Sequence, residues 1–335
     1  MRWEKTVSAP PSHTEGSLGQ PICQNPLASW DGKRYYSIDS YLKRTFGEKV
    51  YRLSLHGGMT CPNRDGTLGA RGCIFCSAAG SGDFAQKARI PIPEQLAAAK
   101  EQIRQKRNCH KFIAYFQAFT NTYAPVSYLR KLFTEAISDP DVVLLSIATR
   151  PDCLSQDILR LLQELNQQKP VWVELGLQTI HPKTSQLIRS GFSLDCFQTA
   201  VQQLSDAQIP VIAHVILGLP GESRAEMLET VSYVGRLPAF GIKLQLLHVL
   251  SGTDLGTLYQ EHPFPLFSQD GYCELIADCL ELLPDTITIH RLTGDGPKDL
   301  LIAPLWSRAK RSVLNQIQDT LKRRDTWQGK YYKKE

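Results

Sequence analysis

The chain predicts an α/β fold organised on a parallel sheet, and three observations carry that expectation. Its 335 residues are 42% hydrophobic and 21% charged, an ordinary globular composition with enough chain to bury a large core. From about Ser37, short apolar or β-branched runs alternate with amphipathic stretches, six times over, at roughly 30 residues per unit. The runs are almost continuously apolar, as in strands covered on both faces.

Taken in order, strands are expected at Val50–Leu55, Phe112–Phe116, Val142–Ala148, Val171–Leu177, Val211–Leu217 and Lys243–Val249, with a further run at Thr286–His290. Helices are expected at Ile92–Lys106, Val126–Ser138, Gln156–Gln167, Leu194–Gln208, Ser223–Arg236 and Gly271–Leu283. Ser155, Ser193 and Ser223 stand where a hydroxyl can accept from an orphan helical N–H. Residues 1–35, rich in Pro, Ser, Gly and Gln, read as a mobile leader, residues 36–301 as the α/β body, and residues 302–335 as a basic C-terminal helical extension. Periodicity alone leaves open whether the sheet curls into a partial barrel or stays doubly wound. Either way, the active site belongs at the carboxyl ends of the strands.

The longest apolar runs, Val142–Ala148 and Val211–Leu219, fall far short of the ~20 residues a membrane span needs. The start, Met1 to Lys5, has no apolar segment of a signal peptide. A cytoplasmic, reducing setting is therefore expected. Stable disulfides are rare there, so the nine cysteines need another account. Cys23, Cys109, Cys153, Cys196, Cys273 and Cys279 are scattered, like small buried hydrophobes. Cys61, Cys73 and Cys76 are bunched and point to metal or redox chemistry.

The net charge of +5 is uneven. Trp306–Glu335 holds nine Lys/Arg against three acids, hence +6, which leaves −1 for the rest. Trp327, Tyr331 and Tyr332 lie among these cations, a pattern suited to a phosphate backbone or to a solvated helix.

Chemically rich residues follow each strand. After the first come Cys61, then Gly72-Cys73-Ile74-Phe75-Cys76. Three thiolates are one short of a closed site, so a [4Fe–4S] cluster held by them keeps one iron open. The alternatives are a structural zinc completed by His56 or His110, and a thioredoxin-like dithiol. Gln117 to Tyr123 follows the second strand, and Thr149-Arg150-Pro151-Asp152 the third. Glu174 lies inside the fourth, where an acid is costly unless satisfied; a ribose, an amine, or a Lys or Arg across the barrel would do so. Leu217-Gly218-Leu219-Pro220-Gly221 closes the fifth.

Together these residues resemble the radical S-adenosylmethionine (SAM) superfamily from about Tyr51 to Leu301. The long first cysteine spacing, Thr149–Asp152, Glu174-Leu175-Gly176-Leu177-Gln178-Thr179 and Leu217–Gly221 resemble the radical domain of the elongator catalytic subunit. Asp65–Gly69, Gly80–Phe84, Gln117–Pro125 and His290–Asp295 resemble the smaller, elongator-like YhcC-type family. The resemblance implies a partial (β/α)6 TIM-type barrel in which Cys61, Cys73 and Cys76 bind the cluster. It implies that Phe75, Gln117, Asn121, Glu174, Gln178, Ile216 and Gly218 contact SAM, which is cleaved reductively so that hydrogen is abstracted from a substrate. It further implies a flavodoxin or ferredoxin-type electron donor. Lys243, His248, His290 and Arg291, at late strand ends, are candidates to meet substrate; a buried guanidinium such as Arg291 calls for an anion.

Two departures matter. Ala148 stands where the elongator subunit has an acid, and nothing after Leu301 is long enough for an acetyltransferase domain. What carries over is the substrate class: a modified uridine in tRNA, gripped in part by the basic C-terminal segment. The alternatives are a radical SAM enzyme on a small metabolite or protein, and a non-catalytic metal-binding barrel.

Overall fold

The computed structural model describes residues 30–80, 82, 85, 88–294 and 296–333. Most of the expected leader, Cys23, Ser81, Asp83, Phe84, Asp295, Lys334 and Glu335 lie outside the described residues.

Helix α1 (Ile38–Phe46) precedes strand β1 (Val50–Leu55). There follow α2 (Ile92–Arg104), β2 (Lys111–Phe116), α3 (Val126–Ser138), β3 (Val142–Thr149), α4 (Gln156–Asn166) and β4 (Val171–Gln178). Next are α5 (Pro182–Leu187), α6 (Leu194–Asp206), β5 (Val211–Leu217), α7 (Arg224–Arg236) and β6 (Gly241–Leu246). The chain ends with β7 (Val249–Leu250), α8 (Asp254–Glu261), α9 (Gln269–Leu282), β8 (Thr288–Arg291), β9 (Leu301–Ala303) and α10 (Lys310–Arg323).

Among the described residues, seven parallel strands form one sheet in the order β1-β2-β3-β4-β5-β6-β8, curled into a half-barrel. Ser155, Ser193 and Ser223 accept from the N–H groups of Ile158, Cys196 and Glu226, and Glu226 answers Ser223 to complete a capping box. The last expected helix starts two residues early, because Ser268 caps it and Gly271 falls inside. The expected strand Lys243–Val249 breaks in two. β6 ends at Leu246, and β7 leaves the sheet to pair antiparallel with β9.

The outer face of the sheet packs on the helices through one large core. The inner face is layered by strand register. Near the amino ends, Ile113, Leu144, Trp172 and Ile212 form an apolar base with Leu42 of α1. α1 lies against both edge strands, β1 and β8, and Ser37 bridges to Ile289, so this helix closes the seam at the base. One layer up, Tyr115, Ser146, Glu174, His214 and Lys243 face inward on successive strands.

The C-terminal segment belongs to the same core: Val313, Ile317 and Leu321 are fully buried against it. Two of its cations meet acids of α9. Arg324 pairs with Glu274, Asp278 and Glu281, and Arg323 with Glu274. Beyond α10, Gln328 bonds the carbonyls of Pro284 and Ile287 and the N–H of Tyr36, and Asp325 pairs with Arg34. Those partners lie at the amino ends of the strands. No described helix is long and apolar enough to cross a membrane.

Candidate active site

A cavity of ≈ 430 Å³ opens at the carboxyl ends of the strands, and Cys61, Cys73 and Cys76 all line it. The loop that carries them is tied on every side. Asn63 Nδ2 donates to Arg189 O (2.7 Å), Arg64 donates to Cys76 O (3.1 Å) and Ser77 O (2.6 Å), and Ile74 N donates to Ile188 O (3.3 Å). Gly72 is needed where it stands: its φ is +75°, and a Cβ there would lie 2.8 Å from Arg64 Nε. None of the three thiols is in a disulfide. The Cys73 thiol is pulled down to about 7 by its hydrogen bond with Cys76, helped by the Asn63 amide and the charges of Arg150 and Arg64. A thiol so placed is ready to ligate as thiolate at neutral pH.

No trio of His, Cys, Asp or Glu among the described residues is gathered tightly enough for a single metal ion. His56 accepts from Gly58 N, and His110 sits at the opposite, amino end beside α2 and β2. Neither completes a zinc site with the three thiols. Cys73 and Cys76 lie in a loop rather than at a helix start, unlike a thioredoxin-type dithiol.

Phe75, Gln117, Gln178 and Ile216 line the cavity. Gln178 has φ +70°, folds its amide back over Gly176, and keeps a buried Oε1 without a hydrogen-bond partner. A strained backbone holding an unsatisfied acceptor at a cavity wall suits a ligand that brings a donor. Three residues expected at the site are not among those that line this cavity. Asn121 is behind the wall, its Nδ2 donating to Phe116 O (3.2 Å) and Ala148 O (2.8 Å), so it ties β2 to β3. Gly218 packs beside Phe267 and off the cavity. His290 is buried among Trp172, Phe240 and Arg52.

Glu174 is fully buried at the cavity floor and has four protein donors. Ser146 reaches Oε1 (3.0 Å), while Tyr115 (2.9 Å), His214 (2.8 Å) and Lys243 reach Oε2. Barrel side chains satisfy it, and it lines the cavity as well. Burial opposes its charge, but Lys243 and His214 hold its carboxyl well below the usual range. Burial pulls Lys243 down to about 7 and His214 to about 4. Burial also keeps Tyr115 protonated, its pKa well above the ordinary value. Lys243, Arg291 and His248 line the cavity as expected of late strand ends, and His248 also meets the Ser307 hydroxyl (3.0 Å). Arg52, Tyr115, His214 and Arg150 were not among the expected site residues. Arg52 and His214 carry the signal that marks Glu174, a polar residue inside an apolar strand.

A family model described as the radical SAM superfamily matches residues 66–234, and one described as the radical SAM C-terminal domain matches residues 239–323. The chain is 45% identical to the uncharacterized protein YtqA of Bacillus subtilis (strain 168), over 90% of this chain and 94% of that one. It is 38% identical to protein YhcC of Escherichia coli (strain K12), over 79% and 85%. A tRNA uridine(34) acetyltransferase of Methanocaldococcus infernus is 26% identical over 52% of this chain and 32% of its own length. The solved structure of the Elp3 protein from the same archaeon superposes with a TM-score of 0.64 at 17% identity, over 83% of this chain and 64% of that one, and so shares the fold.

Proposed function

Since this chain belongs to the radical SAM superfamily and is a radical SAM enzyme, we propose that Cys61, Cys73 and Cys76 hold its [4Fe–4S] cluster and that SAM binds beside them. The observation that carries this is the meeting of three free thiols on the wall of one cavity at the carboxyl ends of the strands. Such a cluster supplies the electron that splits SAM reductively and so begins hydrogen abstraction.

The chain's own residues do the rest. Arg64 and Asn63 fix the cysteine loop before the cluster arrives. Phe75 offers an aromatic face beside the thiols, and Gln178 Oε1 an acceptor for a ribose hydroxyl or an amine. Gln117 and Ile216 complete the SAM wall. The satisfied layer around Glu174 closes the floor of the cavity. A low-potential donor of the flavodoxin or ferredoxin type supplies the electron.

The substrate we favour is a modified uridine in tRNA, supported by the tRNA-directed name of a distant relative and by the cations of the C-terminal segment. These cations run from Arg308, beside β9, down to the segment that follows α10 at the amino end, so they attract RNA at long range while the nucleoside enters the mouth. Anaerobic reconstitution with SAM and dithionite should yield 5′-deoxyadenosine, and Cys73→Ala should lose at least a thousandfold. Equal product from the mutant refutes the ligand assignment. Mass analysis of tRNA nucleosides from cells with and without the protein tests the substrate; identical profiles refute it.

A further inference from the structure

One cation on the cavity floor is held for a purpose that the Glu174 layer does not serve. Arg52 projects from the middle of β1, and its Nη2 donates to His290 Nδ1 (3.0 Å). That bond sets the tautomer of His290. Its Nε2–H faces the Thr288 hydroxyl (3.0 Å), which donates to Phe240 O (2.9 Å). Burial, and then the charge of Arg52, hold His290 well below its ordinary pKa, so it is neutral. Thr288 and His290 are buried, and the ring of His290 is packed edge-on to Trp172 and Phe240. The guanidinium is thus oriented by a rigid relay of neutral groups. Its other contact is the Tyr115 ring (5.7 Å). Among the described residues no carboxylate lies within ion-pair distance of it, although Glu174, bound by Lys243, feels its charge.

A fixed guanidinium on the wall of a half-buried cavity, with its charge unmatched, is built to receive an anion. Its place on β1 sets it apart from Phe75, Gln178 and Ile216, which come from the cysteine loop and from β4 and β5. We infer that Arg52, positioned by His290, binds a carboxylate or phosphate group of the substrate, and so selects substrates whose reacting part carries negative charge. This takes as given that the cavity is the reaction chamber of a radical SAM enzyme.

The test uses the cluster-reconstituted full chain at constant ionic strength set by chloride. Acetate, inorganic phosphate and neutral acetamide are added separately, and the thermal midpoint is followed as a measure of binding to the folded state. Wild type should respond saturably to acetate or phosphate and not to acetamide; the stronger of the two anions tells carboxylate from phosphoryl recognition. Arg52→Gln should bind the preferred anion at least tenfold more weakly, Arg52→Lys should keep part of the response, and Arg308→Gln, off the cavity, should keep all of it. Acetamide matching acetate in wild type overturns the assignment whatever the variants do. A folded Arg52→Gln with the wild-type anion response also overturns it. So does a tenfold loss of SAM affinity in that variant with the anion response intact, because Arg52 would then serve SAM. SAM binding and 5′-deoxyadenosine are read separately, so failure of the radical reading is distinguishable from failure of the anion site.

Discussion

At the amino ends of its strands the barrel is closed by bulky apolar side chains and a helix, whereas at the carboxyl ends it is open and ringed by loops rich in polar atoms. The base is made of Ile113, Leu144, Trp172 and Ile212, with α1 laid across the seam. The mouth is made of the cysteine loop and of residues at positive φ, Phe119, Gln178 and Arg189. Between the two lies a charged but satisfied layer around Glu174. The contrast separates two duties: the base supplies folding free energy, while the mouth spends local strain on positioning.

If that separation is real, changes at the base should cost stability and spare the chemistry. The largest effect should come from Trp172→Ala, about 3–5 kcal/mol of unfolding free energy by chemical denaturation, with SAM cleavage per folded molecule kept within about twofold. A large loss of cleavage at unchanged stability would break the division. Lys243→Met tests the middle layer. Removing the ammonium leaves Glu174 buried and unpaired, at about 3–4 kcal/mol, and Glu174→Gln in the same chain should recover much of it.

The pH dependence sharpens the same boundary. His214 titrates near 4 when folded and near 6.5 when unfolded, so its contribution is whole above 6.5 and drains away as pH falls toward 4. About 3 kcal/mol should be lost across that window, and His290, also pushed down, acts in the same direction. His214→Gln should flatten the slope in unfolding measured from pH 7 to 4. The smallest effect, about 1 kcal/mol, is expected from Ser223→Ala, which removes one cap on the outer layer and leaves both ends of the barrel untouched.

Much of this was legible before any coordinates. Apolar runs located the strands because a covered parallel strand has no polar face to blur its edges. The thiol spacing and Glu174 announced the site because both are expensive without a partner. What the sequence concealed was pairing at long range. Lys243 is the mate of Glu174 from 69 positions away. Within the polar run after β2, Gln117 and Thr120 line the cavity, while the Nδ2 of Asn121 is given to the carbonyls of Phe116 and Ala148. Arg323 and Arg324 of the basic C-terminal segment meet acids of α9, which a linear charge count cannot see. Truncation after Trp306 would remove Val313, Ile317 and Leu321 from the core, so RNA attraction is better probed by Lys330→Gln and Lys333→Gln with salt titration.

The clasp between Gln328 and Tyr36, and between Asp325 and Arg34, joins groups 291 and 292 positions apart. On a ribosome, nearly the whole barrel has emerged before that clasp can form. Until then α1 can dock, but the strap that links it to β8 is missing, and the apolar base stays accessible to chaperones or to a neighbouring chain. The cysteine loop, by contrast, is synthesised early and contacts residues that follow within about half the chain. Birth order thus places the cluster-binding residues in the cell before this clasp can close, and the clasp lies at the end of the barrel farthest from the chemistry.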